Sequence, residues 1–218
     1  MNYSFVIPVY NSEETLEKLI FEISKNIKVY SQSYEIILID DCSNDGSHKK
    51  LKELKRKNKK IKLFRNKFNL GQHKSIQIGL KKTKGKKIFI MDCDLQDDPK
   101  YFSNFINKYN KKKNTVVGLA NKKSYRKGIF SYIFWSILDF VSNKKFHLNI
   151  TNFTLIHSTE VKKIIKTKNF IFLYGELIIN DIKIDFINIT KKKRKNGVSA
   201  YNFIKCLLIG LNILKKYL

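Results

Sequence analysis

Cysteine is scarce: Cys42, Cys93 and Cys206 are three, odd in number and without C-x-x-C spacing. That argues against a disulfide framework and a zinc site and suits a reducing cytosol. No apolar run reaches the ~20 residues of a membrane-spanning helix. The two nearest, Ile129 to Val141 with Asp139 inside it and Phe203 to Leu214, have the length of core or interfacial helices. The opening MNYSFVIPVYN lacks the basic start and long apolar stretch of a signal peptide, so a mature chain starting here in the cytoplasm is expected. No G-x-G-x-x-G follows the first apolar run and no G-x-x-x-x-G-K-[ST] occurs, so neither a dinucleotide fold nor a P-loop is supported. Acid is thin as well: 18 Asp and Glu against 44 Lys and Arg leave a formal charge of +26. Such an excess suits nucleic acid, an anionic membrane surface or a phosphorylated substrate. The lysines are scattered in runs beside many Asn and Ile, so about half of the charge reads as solvated surface.

What is present is a rhythm. Tyr3 to Val9 reads as a strand, and apolar positions Leu16, Leu19, Ile20, Ile23 and Ile27 follow at helical spacing. Tyr34 to Ile39 is a second strand, closed by the turn-rich DDCSNDG and followed by a basic helix through Leu51 and Leu54. Ile61 to Phe64 is a third strand, Gly71 to Lys82 a helix, Lys87 to Met91 a fourth strand, and Val116 to Leu119 a fifth. A helix after Pro99 carries Phe102, Phe105, Ile106 and Tyr109 on one side. Beyond lie an aromatic helix at Ile129 to Val141, a strand at Phe153 to Ile156, a helix at Val161 to Ile165, a strand at Lys183 to Ile189 and a terminal helix. Alternation of this kind predicts an α/β fold with a mostly parallel sheet and helices on both faces. Ligands bind such sheets at the carboxyl ends of the strands, where this chain places PVYN, DDCSNDG and DCDLQDD.

The last of these is the densest chemistry in the chain: Asp92, Asp94, Asp97 and Asp98 with Gln96 fall within seven positions of a strand end. Side chains two apart share a face of an extended chain, so Asp92, Asp94 and Gln96 converge. Their oxygens are hard ligands suited to Mg2+ or Mn2+ that keeps positions open for substrate phosphates. Asp98 before Pro99 is an N-cap pattern; four acids cannot all be caps. His73 reads as a packing residue at a helix start.

VIPVYN at 6 to 11, IDD at 39 to 41, NLGQHKSIQIGL at 69 to 80, MDCDLQDDP at 91 to 99 and R-x-x-G-x-S from Arg194 to Ser199 together resemble family 2 glycosyltransferases of the GT-A fold, above all the dolichyl- and undecaprenyl-phosphate sugar transferases. The resemblance runs from Tyr3 to about Tyr201 and implies a GT-A domain over 1–201 with an amphipathic helix at 202–218. It implies that Pro8, Tyr10, Asn11 and Glu13 border the nucleotide, that Asp41 faces base and ribose, and that Asp92, Asp94 and Gln96 hold the ion. Arg194 and Ser199 match its anion-binding segment. The reaction implied is inverting transfer from a nucleotide-diphosphate sugar to polyprenyl phosphate or a membrane-associated glycan, with Asp94 and Arg194 in the chemistry. Where the family has lysine after the serine this chain has Ala200, a departure that counts against a polyprenyl phosphate acceptor. A lipid phosphate needs no base; a sugar hydroxyl does, and Asp97, Asp98 and Glu176 are the candidates. Charge and lysine-flanked apolar segments suggest peripheral binding to the inner face of an anionic membrane. The alternative, a nucleic-acid-binding protein or metal-dependent nuclease, shares the acid cluster, but no nucleic-acid motif accompanies it.

Overall fold

The structure is a computed structural model describing residues 1–121, 147, 149–167 and 170–192. The expected Lys122 to Lys127 loop, Ile129 to Val141 helix, Arg194, Ser199 and the 202–218 segment lie outside the described residues.

Seven strands form one sheet in the order β3-β2-β1-β4-β6-β5-β7. β1 (Tyr3–Val9), β2 (Tyr34–Asp40), β3 (Ile61–Arg65) and β4 (Lys87–Ile90) are parallel, and β5 (Thr115–Ala120) pairs parallel with β7 (Ile184–Ile189). β6 (Ile150–His157) runs antiparallel between β4 and β5. Helices α1 (Glu13–Lys28), α2 (Ser47–Lys57), α3 (Gln72–Leu80), α4 (Phe102–Lys112), α5 (Ser158–Ile164) and α6 (Leu173–Ile179) complete the described elements. The α/β expectation holds, with β6 its antiparallel exception.

Alternation along the strands builds two cores. Phe5, Ile7 and Val9 of β1 join Leu16, Leu19 and Ile23 of α1 and Phe102 and Phe105 of α4 in one. Val6 joins Ile76 and Leu80 of α3 and Val161 and Ile164 of α5 in the other. Phe89 on β4 sits at the centre of the first, its ring 5.3 Å from Phe5 and 4.6 Å from Phe102. Burying one such side chain contributes about 1.5–3 kcal/mol. On the opposite face α3 lies close to β1 because residue 79 is glycine: a Cβ there would stand 2.5 Å from Val6 Cγ1.

Pro8 decides where the sheet opens. In a parallel ladder alternate residues bond to opposite neighbours. Asn2 and Val6 give their carbonyls to Lys87 and Met91 on the β4 side, whereas Val9 gives its carbonyl to Asp41 on the β2 side. Pro8 falls on the β4 side and has no N–H to donate. Accordingly β1 pairs with β2 as far as Val9 with Asp40, but with β4 only as far as Val6 with Ile90. The acid segment begins in the gap that results.

Candidate active site

Loops leave the carboxyl ends of β1, β2 and β4 side by side, and each contains a non-glycine residue in the left-handed region: Asn11 (φ 47°), Cys42 (φ 61°) and Leu95 (φ 62°). Such a backbone costs roughly 1–2 kcal/mol per residue, so cross-links must hold it. Asn11 N–H donates to Ser43 Oγ at 3.1 Å, Asn11 Oδ1 accepts from Asn44 N–H at 3.0 Å, and Ser12 N–H donates to Ser47 Oγ at 2.7 Å. The β4 loop is tied in by Thr15 Oγ1, which donates to the Cys93 carbonyl at 2.7 Å, and by the Cys93 thiol, 3.1 Å from Ser12 Oγ. Burial pushes that thiol up to about 11, so it remains a protonated donor near neutral pH.

The two acids closing β2 have different tasks. Asp40, fully buried, accepts from Ser43 N–H at 2.9 Å and meets His48 Nδ1 at 2.8 Å and Arg65 Nε at 3.3 Å, which folds the 42–47 turn onto the edge of the sheet. Asp41, 2% exposed, accepts from Asn66 Nδ2 at 2.7 Å and Leu70 N–H at 2.9 Å through Oδ1, and from Gly71 N–H at 2.8 Å through Oδ2. Gly71 reaches it with φ 87°, a conformation that glycine adopts without penalty. The sequence expectation aimed Asp41 at a base and ribose. In the structure its carboxylate latches the 66–71 loop, and α3 starts from that latch.

The acid segment is the meeting point. Asp92 Oδ1 accepts from Gln72 Nε2 at 2.6 Å and Asn152 Nδ2 at 3.1 Å, so the first turn of α3 and the amino end of β6 both orient it. Asp94 Oδ1 accepts from Gln96 N–H at 3.0 Å in a tight turn about Leu95. Gln96 Nε2 donates to the Lys192 carbonyl at 3.2 Å, which leaves Oε1 as the ligating end of that amide. Asp97 has no exposed surface; Oδ2 lies 3.3 Å from Asp92 N and Oδ1 3.4 Å from Lys191 Nζ. Burial raises its pKa to about 7, with Lys191 offsetting only part of that. Asp97, among the candidates for a base, faces the protein interior against Lys191 and the Asp92 amide. Asp98 caps the turn at Pro99–Tyr101 by accepting from Lys100 N–H at 3.1 Å, the N-cap its sequence context predicts. Burial would raise it, but Lys192 and Lys100 outweigh that and hold it below the usual carboxylate range.

Of the residues expected to border the nucleotide, Tyr10 is 41% exposed, and Asn11 and Glu13 are exposed on the same rim. Pro8 is buried within β1, where it opens the ladder on the β4 side. Glu176, on α6, is 1% exposed and accepts from Ile171 N–H at 3.4 Å. His73 packs 6.3 Å from the Phe172 ring, and burial pulls its pKa to about 4. Sequence reasoning assigned no role to Asn66, Gln72, Asn152 or Lys191. Gln72 stood in a motif already singled out; Asn152, on an otherwise apolar strand, was the other visible signal.

No group of three or more His, Cys, Asp or Glu able to hold a metal occurs among the described residues. Asp92, Asp94 and the Gln96 amide oxygen instead make the sparse, hard donor set that suits Mg2+ or Mn2+ completed by phosphates. The residues fit such an ion.

A mostly parallel sheet opened beside its first strand, with D-x-D at that opening, defines the GT-A class of folds. The pattern of glycosyl transferase family 2 matches residues 4–165, and the chain belongs to that family. Undecaprenyl-phosphate 4-deoxy-4-formamido-L-arabinose transferase of Proteus mirabilis is 42% identical over 98 residues, which are 44% of this chain and 30% of that protein. Dodecaprenyl-phosphate galacturonate synthase of Rhizobium johnstonii is 24% identical over 226 residues, 98% of this chain and 66% of that protein. The chain thus spans less than two thirds of the length of either. Glucosyl-3-phosphoglycerate synthase from Mycobacterium tuberculosis, in complex with Mn2+, uridine diphosphate and phosphoglyceric acid, shares the fold with a TM-score of 0.69 at 15% identity, over 98% of this chain and 76% of that one. The acid segment lies within the stretch that matches the family.

Proposed function

We propose that this chain is an inverting, divalent-metal-dependent glycosyltransferase that moves a sugar from a nucleotide-diphosphate donor to a polyprenyl phosphate. The observation that carries the reading is the pair Asp92, oriented by Gln72 and Asn152, and Asp94, held by the Gln96 N–H, past the opened end of β4 in a family 2 chain. Named relatives act with undecaprenyl and dodecaprenyl phosphate, and a structural neighbour binds Mn2+ with uridine diphosphate.

In this reading Asp92, Asp94 and Gln96 Oε1 would hold the ion, which would supply Lewis-acid stabilisation of the charge on the departing diphosphate. Tyr10, Asn11 and Glu13 border the nucleotide from the β1 loop, and Asp41 keeps the neighbouring loop in place behind it. Arg194 and Ser199 supply further donors to the phosphates. The acceptor oxygen attacks the anomeric carbon from the side opposite the breaking bond to the diphosphate, which inverts that centre. A phosphate acceptor arrives as an anion and requires no base. A sugar hydroxyl requires one, and the interior position of Asp97 and Glu176 supports the phosphate. The formal charge of +26 supports reversible attachment to an anionic inner membrane face; no helix among the described residues is long and apolar enough to cross a membrane.

The test is a screen of nucleotide sugars for Mn2+-dependent transfer, with and without polyprenyl phosphate. Transfer to the lipid by the wild type and none by Asp94→Asn is the expected outcome. Lipid-independent transfer to a soluble glycan would replace the acceptor assignment, and no turnover of any donor would sink the reading.

A further inference from the structure

After β7 the chain returns across the carboxyl edge of the sheet and is fastened to the acid segment. Thr190 N–H donates to Tyr101 Oη at 3.0 Å, Lys192 N–H donates to the Gln96 carbonyl at 3.3 Å, and the Gln96 amide returns a bond to the Lys192 carbonyl. Lys192 Nζ stands 2.7 Å from Asp98 Oδ2 on an exposed side chain. Lys191 points the other way. Its side chain is 15% exposed, and its ammonium lies 3.4 Å from Asp97 Oδ1 and 3.9 Å from Asp92 Oδ2. Taking an ammonium out of water is costly unless carboxylates compensate, and here they do. Burial works against the charge, yet Asp97, Asp92 and Asp94 outweigh it and leave the pKa above its ordinary value.

We propose that Lys191 is a diphosphate-binding residue whose ammonium in the donor-free protein stands between Asp97 and the metal carboxylate Asp92, so that the divalent ion and the nucleotide diphosphate bind cooperatively. This rests on the reading of Asp92 and Asp94 as ligands. A cation at Asp92 Oδ2 and a divalent ion on the same carboxylate repel each other, so Lys191 opposes the ion when it comes alone. A diphosphate arriving with the ion offers the ammonium a new anionic partner at the place it must vacate. Lysine suits the exchange, being a point charge on a flexible stem, while the paired bonds between Lys192 and Gln96 hold the backbone and leave the side chain to move. Asp97 remains behind as the fixed partner of the swing. By linkage each ligand raises the other's affinity by the same factor, on the order of tenfold.

Calorimetry on the full chain tests this with three titrations: Mn2+ alone, uridine or guanosine diphosphate alone, and each in the presence of the other. Lys191→Met is expected to bind Mn2+ alone several-fold more tightly than the wild type, to bind the diphosphate more weakly, and to lose the part of the coupling that does not come from direct contact between the ion and the phosphates. Lys191→Arg, which keeps the charge, should retain the coupling. If methionine prevents folding, Lys191→Gln, which still donates to Asp97, takes its place. A neutral variant that binds Mn2+ alone no more tightly than the wild type overturns the proposal while leaving the metal site standing. A fall in melting temperature with both affinities reduced and the coupling intact would show a structural strut and overturn it too. A wild type that binds neither Mn2+ nor a nucleotide diphosphate removes both this proposal and the functional reading beneath it.

Discussion

Asp41→Ala separates a latch from a ligand contact. The carboxylate receives three hydrogen bonds between 2.7 and 2.9 Å from Asn66, Leu70 and Gly71, and it is 2% exposed. Bonds to a charged acceptor contribute about 1.5–3 kcal/mol each. Leu70 and Gly71 are only half-buried, so water recovers part of what their N–H groups lose. A net cost of about 3–4 kcal/mol follows, a large share of the roughly 5–15 kcal/mol that holds a domain together. At this chain length that corresponds to a fall in melting temperature of about 10 °C. Asp41→Asn keeps Oδ1 for Asn66 and Leu70 but sets an amide NH2 against Gly71 N–H, and should cost about half as much. Because α3 begins at Gln72, and Gln72 Nε2 orients Asp92, loosening the loop also weakens diphosphate binding. The assays are thermal unfolding, hydrogen exchange at the Leu70 and Gly71 amides, and titration with uridine diphosphate. Unchanged melting and amide protection together with lost diphosphate binding would refute the latch and return Asp41 to the direct nucleotide contact its sequence position suggests.

Asp94→Asn exchanges an anionic ligand for a near-isosteric neutral one, and should lower kcat/KM at least about a hundredfold with melting unchanged; most activity retained at saturating Mn2+ would refute the ligand assignment. His73, whose pKa burial lowers to about 4 from 6.5, stays neutral in the folded chain while the unfolded chain takes a proton below 6.5. Its contribution is therefore whole above 6.5 and is lost as pH falls towards 4, to an extent of about 2 kcal/mol once partial exposure is allowed for. Urea denaturation at pH 7.5 and 4.5 should show a smaller pH dependence in His73→Gln, and equal slopes would exclude His73 as the cause. Sedimentation with anionic vesicles at low salt and release at roughly 0.5 M salt is expected of a chain carrying +26; a protein left in the supernatant at low salt would remove the membrane from the functional reading.

The first half of this fold was legible because each strand is apolar and each is followed by a helix with one apolar stripe. β1 to β5 fall within two residues of their expected bounds, and Lys183 to Ile189 became β7. α6 was not foreseen: LYGELII has glycine as its third residue and β-branched residues at its end, and burial of Leu173 to Leu177 is what offsets that poor propensity. The direction of β6 was equally hidden, since a strand buried on both faces looks the same whichever way it runs.

Within the site, residue types were easier to read than the directions their side chains take. Asp92 and Asp94 were visible as acids just past a strand, but β4 ends at Ile90 and Leu95 is left-handed (φ 62°), so a turn and not the period of extended chain sets their directions; Asp41 and Asp97 turn inward to donors brought from Gly71 and Lys191, 30 and 94 residues away in the chain. Lys191 is the sharpest case. In sequence it is one cation in a run of five, and a run of cations is ordinarily a solvated face. What singles it out is the return of the chain from the far edge of the sheet to the gap beside Pro8. That return places one lysine against two acids, Asp92 and Asp97, while its neighbour Lys192 stays exposed on Asp98. Pro8 works in the same indirect way, as a missing N–H that ends one ladder and not the other. Both effects depend on which element lies next door, and so the chemistry of the acid segment was predictable one strand at a time while its electrostatic balance was not.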